Sequence, residues 1–230
     1  MPLIIIVSIC YLFVLSALIR AGLSKGRYGN KYIILKGSTS VCFVLLALVT
    51  AIWRGNGLLT FFMLLPSLLL CLSGDVLLAF ANVRKKFFGK YFLAGAISFA
   101  IGHALFIVVF RAISAAQSFW TWPMLILPII MSAFVFVVGK RNKRFRFGKM
   151  MLPGTVYAFF VGLMTVAAVR MCSLAVYDIR AWLMAAGAVL FFVSDVILMF
   201  MYFYYKPRRV LRAFNFGTYY IGMMLIALAC

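Results

Sequence analysis

Eight stretches of predominantly apolar residues alternate along the chain with short connections that hold most of the basic residues. Each stretch is close to the ~20 residues that a helix needs to cross a hydrocarbon core of about 30 Å. The predicted spans are residues 2–22, 34–53, 58–81, 88–111, 120–139, 150–170, 181–205 and 213–230. The pattern therefore predicts an all-α polytopic membrane protein with eight transmembrane helices, forming a single integral membrane domain over residues 1–230.

The overall composition supports an integral membrane protein and argues against a soluble one. Hydrophobic residues make up 67% of the chain and charged residues 11%, against about 45–50% and about 25% in soluble domains. The first apolar stretch has neither a basic segment before it nor a convincing cleavage site after it. We therefore expect it to be the first span and not a removed signal peptide.

The basic residues predict how the helices are oriented. The chain carries 23 Lys and Arg residues and a net charge of +20. Nineteen of the 23 lie in the first, third, fifth and seventh connections: Arg20, Lys25, Arg27, Lys31, Lys36, Arg84, Lys85, Lys86, Lys90, Lys140, Arg141, Lys143, Arg144, Arg146, Lys149, Lys206, Arg208, Arg209 and Arg212. Because positive charge in short loops stays on the cytoplasmic side, we expect these connections inside and both termini outside. The alternation of basic and non-basic connections explains the net positive charge better than a nucleic-acid interface does. The basic loops can also contact anionic membrane lipids.

Cysteine and histidine do not form the patterns of a metal or disulfide site. The five cysteines are scattered through the apolar segments with no CxxC pair, which favours small packing residues over disulfides or metal ligands. Since the chain has a single histidine, a histidine-rich metal site is not expected. The sequence therefore predicts no metal and no cofactor.

Two of the three acidic residues lie within predicted spans. Asp75 is in the third span and Asp195 in the seventh. Asp178 lies in a connection beside Arg180 and is expected to be an ordinary surface charge. A charged group at the centre of a span costs about 2.5–3.5 kcal/mol, so such residues usually face the bundle interior and serve a function. Counted from the ends of their helices, both aspartates are expected at similar depth toward the cytoplasmic side. Catalysis or transport is the favoured role, and structural hydrogen bonding between helices is the alternative.

Four further polar residues in the spans are candidates for a supporting role. His103 in the fourth span is a candidate hydrogen-bond partner of an aspartate or a proton relay, or a structural histidine bonded to a nearby oxygen atom. Tyr157 lies in a ladder of small residues that predicts close helix packing. Ser194 precedes Asp195 and is able to hydrogen-bond its own helix. Asn215 lies on the last span and shares a face of it with Tyr219, a weaker candidate.

An internal similarity links the third and seventh spans. Residues 75–80 and 195–200 both read Asp-Val, three apolar residues and Phe. The similarity is consistent with two parallel four-helix repeats, residues 1–115 and 116–230, which would place a site at their interface. A chance match between two apolar helices is the alternative interpretation.

Short motifs in separate spans resemble those of a known family, the YhhN-type lysoplasmalogenases, which are eight-span membrane proteins. The matching residues are Ser73-Gly74-Asp75, Gly102-His103 and Phe191-x-x-Ser194-Asp195, together with Lys36 and Tyr157. The resemblance covers nearly the whole chain. Two positions depart from the family's usual pattern, with Phe106 in place of an aromatic hydroxyl and Gly222-Met223 in place of Ala-Gln.

The resemblance implies hydrolysis of the vinyl-ether bond of a lysoplasmalogen, a lysophospholipid, to a fatty aldehyde and a glycerophospho-choline or -ethanolamine. Two buried carboxylates suit this chemistry. One, Asp75 or Asp195, would protonate the vinyl ether, and the other would stabilise the cation and activate water. The resemblance also suggests that Lys36 holds the lipid phosphate, although Lys36 is as readily explained as a topology charge whose ammonium group reaches the interface.

Two other functions remain open. A proton-coupled transporter or lipid translocator would use the same two aspartates as a proton relay. A transporter with discontinuous helices is expected to have prolines at corresponding positions of the two halves. Pro66 and Pro153 do not lie at corresponding positions, which does not favour a transporter. A scaffold without activity is the third interpretation. The expected location is a bacterial cytoplasmic membrane, with the endoplasmic reticulum as the alternative, and the oligomeric state is not predicted.

Overall fold

The structure, a computed structural model, describes residues 2–24, 29–55, 57–114, 118–206 and 208–230. Its long helices are α1 (Pro2–Leu23), α2 (Asn30–Trp53), α3 (Leu58–Val83), α4 (Phe88–Ser114), α5 (Ile126–Arg141), α6 (Met151–Leu174), α7 (Ile179–Phe203) and α8 (Val210–Leu228). Short 3₁₀ turns over Lys85–Phe87, Trp122–Leu125 and Gly148–Met150 precede α4, α5 and α6. Lys25 and Arg27 of the predicted first connection lie outside the described residues.

Within the described ranges, eight helices are long and apolar enough to cross a membrane. This confirms the predicted number of spans. Large apolar side chains cover the outside of the bundle, among them Phe13 (74% exposed), Leu59 (73%) and Leu152 (72%). Such surfaces fit a hydrocarbon solvent, in which the backbone of each helix is satisfied by its own hydrogen bonds. The chain is therefore a polytopic α-helical membrane protein.

The fifth span differs most from its predicted bounds. Instead of a helix from residue 120, Trp122–Leu125 forms a 3₁₀ turn and α5 begins at Ile126. Pro123 lies at the start of the 3₁₀ turn, where a missing backbone N–H costs no hydrogen bond. Pro128 lies in the first turn of α5, which tolerates proline for the same reason.

Helices α7 and α8 approach so closely that their backbones touch at two glycines. A Cβ atom added at Gly187 would lie 2.6 Å from the carbonyl oxygen of Gly222, and one added at Gly222 would lie 2.7 Å from that of Gly187. Both distances are too short for any side chain. Small residues at such a crossing are the usual means of close helix packing in membranes.

The helix neighbours follow a regular order. Consecutive helices pack together within 1–4 and within 5–8, and α6 also packs on α4 while α2 and α1 pack on α8. The α4–α6 and α8–α2 contacts occupy corresponding places in the two halves. The division into half-repeats stays a prediction, but this order brings α2, α3, α6, α7 and α8 around the interior of the bundle.

Candidate active site

A cavity inside the bundle is bordered by both intramembrane aspartates. It contains about 1050 Å³ of empty space, its opening included, and its walls are mostly apolar. Its lining includes most of the site residues predicted from the sequence: Lys36, Asp75, Tyr157, Ser194, Asp195 and Asn215. The aspartates lie at matching depths, since Asp75 is eight residues before the end of α3 and Asp195 eight residues before the end of α7, or ~12 Å along each helix.

Asp75 is buried among three donors from two other helices. Lys36 Nζ lies 3.1 Å from its Oδ1 atom. Ser40 Oγ and the Tyr219 hydroxyl each donate to Oδ2 at 2.7 Å. Asp75 is 1% exposed and Lys36 5%. An ammonium group and two hydroxyls together compensate for the loss of water around the carboxylate, so the geometry favours an ionised Asp75.

The helical repeat explains why α2 supplies two of these donors. Lys36 and Ser40 are four residues apart and therefore lie on the same face of α2, which packs on α3. Behind Ser40, the Tyr220 hydroxyl lies 3.3 Å from Ser40 Oγ. The Tyr11 hydroxyl donates to the carbonyl oxygen of Tyr220 at 2.6 Å. The side chain of Ser40 is thus held by contacts that reach as far as α1.

Asp195 has a different environment from Asp75. The Tyr157 hydroxyl donates to its Oδ2 atom at 2.8 Å. Within the described part of the chain, no Lys or Arg nitrogen forms an ion pair with Asp195. A carboxyl group that faces an apolar cavity without a cation is favoured in its protonated form. The two aspartates are therefore suited to opposite protonation states.

His103 lies behind the cavity and does not line it. Its ring packs against the rings of Phe191, with centroids 4.7 Å apart, and Tyr157, 5.4 Å apart. Among the described residues, neither ring nitrogen has a hydrogen-bond partner. The predicted hydrogen bond to an aspartate is not observed, and neither is the alternative bond to a backbone or side-chain oxygen. What the structure shows is that His103 supports the ring of Tyr157.

Ser194 and Asn215 join α7 and α8 beside Asp195. The Asn215 side chain donates through Nδ2 to the carbonyl oxygen of Ser194 at 2.7 Å. The Ser194 hydroxyl is buried without a hydrogen-bond partner among the described residues, so the predicted bond to its own helix is not observed. Asn215 therefore fixes the backbone that carries Asp195.

Ser40 was not predicted as a site residue, although it lies one helical turn after Lys36 and so on the same face of α2. Tyr219 was a weaker candidate, because it shares a face of α8 with Asn215, four residues earlier. Its hydrogen bond to Asp75 was not predicted. Both contacts depend on which face of the helix points inward, and the apolar composition of α2 and α8 does not specify that.

Comparison with protein families adds to this geometry, whereas no curated protein and no solved structure matches the chain. The family described as the YhhN family matches residues 32–230. The matched region contains every described residue that forms a hydrogen bond or an ion pair with the two aspartates. The chain belongs to the YhhN family.

Proposed function

We propose that the protein is a membrane lipid hydrolase that cleaves the vinyl-ether bond of lysoplasmalogens to a fatty aldehyde and a glycerophospho-head group. One observation carries the proposal. A single apolar cavity holds two carboxylates in unlike environments. Asp75 is paired with Lys36, and Asp195 is hydrogen-bonded, among the described residues, to Tyr157 alone. Acid-catalysed addition of water to a vinyl ether needs a proton donor beside a fixed negative charge.

Asp195 is the proton donor in this proposal. Its protonated carboxyl gives a proton to the β-carbon of the vinyl ether, which leaves a positive charge shared between the α-carbon and the ether oxygen. The hydroxyl of Tyr157 stabilises the carboxylate that this step creates at Asp195, since a hydrogen bond to a charged acceptor is stronger than one to a neutral acceptor.

Asp75 stabilises the cation without exchanging protons. Its contacts with Lys36, Ser40 and Tyr219 keep it ionised and fix its position. A preorganised charge favours the oxocarbenium-like transition state over the uncharged substrate.

Water completes the reaction. The Asp195 carboxylate takes a proton from a water molecule as the water oxygen bonds to the α-carbon, giving a hemiacetal and restoring the acid. The hemiacetal then transfers its hydroxyl proton to the ether oxygen, and the C–O bond breaks to release the aldehyde and the glycerol alcohol. The atoms balance without an oxidant, a metal or a cofactor.

The apolar walls fit the hydrocarbon chain of the substrate. Phe92, Phe134 and Val135 border the cavity from α4 and α5, and apolar lining is what binds a lipid tail. We place the protein in a bacterial cytoplasmic membrane, where its lysophospholipid substrate enters from the surrounding lipids.

Aldehyde release from purified protein tests the proposal. Wild type should release aldehyde from a lysoplasmalogen and none from the matched 1-O-alkyl lipid, which lacks the double bond. Asp195→Asn should abolish release, whereas Asp178→Asn, in the connection before α7, should leave it unchanged. If wild type releases no aldehyde but drives proton-dependent lipid flux in liposomes, the hydrolase proposal is wrong and the translocator is favoured.

A further inference from the structure

The first helix of α1–α4 and the first helix of α5–α8 pack differently on their surroundings. Helix α1 packs on α2 and also on α8, where the hydroxyl of Tyr11 donates to the carbonyl oxygen of Tyr220 at 2.6 Å. Helix α5 packs extensively on α6, but among the described residues it makes no comparable contact with α4. The place beside α4 therefore lacks the helix contact that closes the bundle beside α8.

The cavity that holds the two aspartates extends into the space between α4 and α5. Three side chains from each of these helices line it: Phe92, Ala96, Phe99, Met131, Phe134 and Val135. On each helix the three residues lie one, three or four positions apart and share one side of the helix. In the described parts of α4 and α5, no polar side chain lines the cavity. We call this apolar space between the six residues the α4–α5 gap.

Phe134 shows where the α4–α5 gap reaches the surface of the bundle. Among the described residues that line the cavity, only Phe134 is exposed, at 45%. Its ring therefore lies at the rim, with one side toward the cavity and the other toward the outside. Ile130 and Phe136 beside it on α5 are exposed as well. Such an apolar surface faces the hydrocarbon of the membrane, so the gap opens sideways into lipid.

The α4–α5 gap lies at the depth of the two aspartates. Ala96 is eight residues after the start of α4, and Phe134 is seven residues before the end of α5. These counts correspond to ~12 Å and ~10 Å from the basic end of the bundle. Asp75 and Asp195 lie ~12 Å from the same end. A chain that passes through the gap therefore arrives level with both carboxyl groups.

Aromatic side chains close this part of the cavity toward the basic connections. The ring of Phe147 stacks on that of Phe203 with centroids 4.2 Å apart, and the edge of the Phe92 ring meets Phe203 at 5.6 Å. The backbone N–H of Arg146 donates to the carbonyl oxygen of Phe203 at 2.8 Å, which fixes the connection before α6 against α7. The route between α4 and α5 is therefore lateral and does not pass these rings.

We propose that the α4–α5 gap is a lateral entrance that admits the hydrocarbon chain of a single-chain lipid from the membrane. Its apolar walls accept such a chain without burying an unpaired polar group. Ala96 has the smallest side chain of the six and leaves the most room at the entrance. The identification of the chain as that of the substrate rests on the proposed hydrolase function, but its entry through the gap does not.

Photolabelling tests the entrance without requiring hydrolysis. A 1-O-alkyl lysophosphatidylcholine with a diazirine in its chain is irradiated with the protein in nanodiscs, and labelled peptides are mapped by mass spectrometry. Label is expected on residues 92–99 and 131–135, and excess unlabelled 1-O-alkyl lysophosphatidylcholine should remove most of it. Label on Val41, which is exposed on α2 and does not line the cavity, reports contact with bulk lipid and should stay unchanged.

The variant Ala96→Trp should lower the removable label on residues 131–135 at least about tenfold, because an indole ring overfills a space that fits a chain. Ala94→Trp is the matched control. It makes the same substitution on the same helix, at an exposed position that does not line the cavity, and should leave the label unchanged.

A second pair of variants narrows the entrance from α5. Phe134→Trp enlarges an exposed aromatic side chain, so the fold should stay intact while the removable label on residues 92–99 falls. Phe136→Trp makes the same change two residues further on, at an exposed position outside the cavity lining, and should have no effect.

Three results would overturn the proposal: label that excess unlabelled lipid does not remove, equal losses in Ala96→Trp and Ala94→Trp, or full label in both Ala96→Trp and Phe134→Trp. Aldehyde release is measured separately. Loss of label in Ala96→Trp, without any aldehyde from wild type, would support the entrance and reject the hydrolase. Aldehyde release at the wild-type rate by both Ala96→Trp and Phe134→Trp would support the hydrolase and reject the entrance.

Discussion

Nζ of Lys36 lies 3.1 Å from Oδ1 of Asp75, which places an ammonium–carboxylate pair inside the membrane-spanning bundle. Both residues are almost completely buried. Neither charge is stable there alone, since an unpaired ion in a low-dielectric interior loses its hydration without compensation. The pair therefore couples the packing of α2 on α3 to the charge of the site.

Lys36→Met should destabilise the protein by about 3–5 kcal/mol, because it leaves the Asp75 carboxylate buried without its cation. Lys36→Met/Asp75→Leu should recover most of that stability but no activity. Equilibrium unfolding in detergent measures both variants. Lys31→Met, on the exposed part of the same helix, is the control. Additive losses in the double variant would show that the two charges do not stabilise each other.

Tyr157→Phe should lower kcat about 10- to 100-fold with little change in KM. It removes one hydrogen bond to a carboxylate that becomes charged in the reaction, an interaction of about 1.5–3 kcal/mol. Tyr11→Phe removes a buried hydroxyl bonded to the backbone of Tyr220, outside the cavity lining. An equal loss of kcat in Tyr11→Phe would show that the effect is not specific to the hydrogen bond between Tyr157 and Asp195.

Gly187→Ala should destabilise the protein by about 1–3 kcal/mol, because the added methyl group forces α7 and α8 apart. Gly217→Ala is the matched control, since a Cβ atom there meets nothing within 4 Å. The melting temperatures of the two variants are compared by thermal unfolding. Equal melting temperatures would contradict the close contact at Gly187.

Asp178→Ala should cost about 1 kcal/mol of stability without changing activity. Oδ1 of Asp178 accepts the backbone N–H of Arg180 at 2.9 Å and so caps the start of α7. Asp178→Asn keeps an acceptor and should retain most of that stability. A loss of activity in Asp178→Ala at full stability would show that this residue does more than cap the helix.

Hydropathy was sufficient to predict the number of spans, because a helix in lipid needs a long apolar run whatever it packs against. The depth of Asp75 and Asp195 followed from residue counts along their helices, and the structure brings both to one cavity. The hydrogen-bond partners of each carboxylate depend on how each helix is rotated about its own axis. Small local contacts between helices determine that rotation. For that reason neither Ser40 nor the hydrogen bond of Tyr219 to Asp75 was predicted.

His103 is another residue whose contacts could not be predicted from the sequence. Its sequence position marked it as polar and intramembrane, and this suggested a bond to an aspartate or to another oxygen atom. In the structure its ring faces Phe191 and Tyr157 instead. Asp178 was expected to be an ordinary surface charge, although an aspartate just before an apolar run is a common helix cap.

The most direct test of the proposed reaction is hydrolysis of a lysoplasmalogen in heavy water, with the aldehyde trapped as it forms and analysed by mass spectrometry. Protonation at the β-carbon by Asp195 predicts aldehyde from wild type that carries one deuterium at carbon 2, and none from Asp195→Asn. Aldehyde without deuterium at carbon 2, or labelled aldehyde released undiminished by a folded Asp195→Asn variant, would contradict the assignment of Asp195 as the acid.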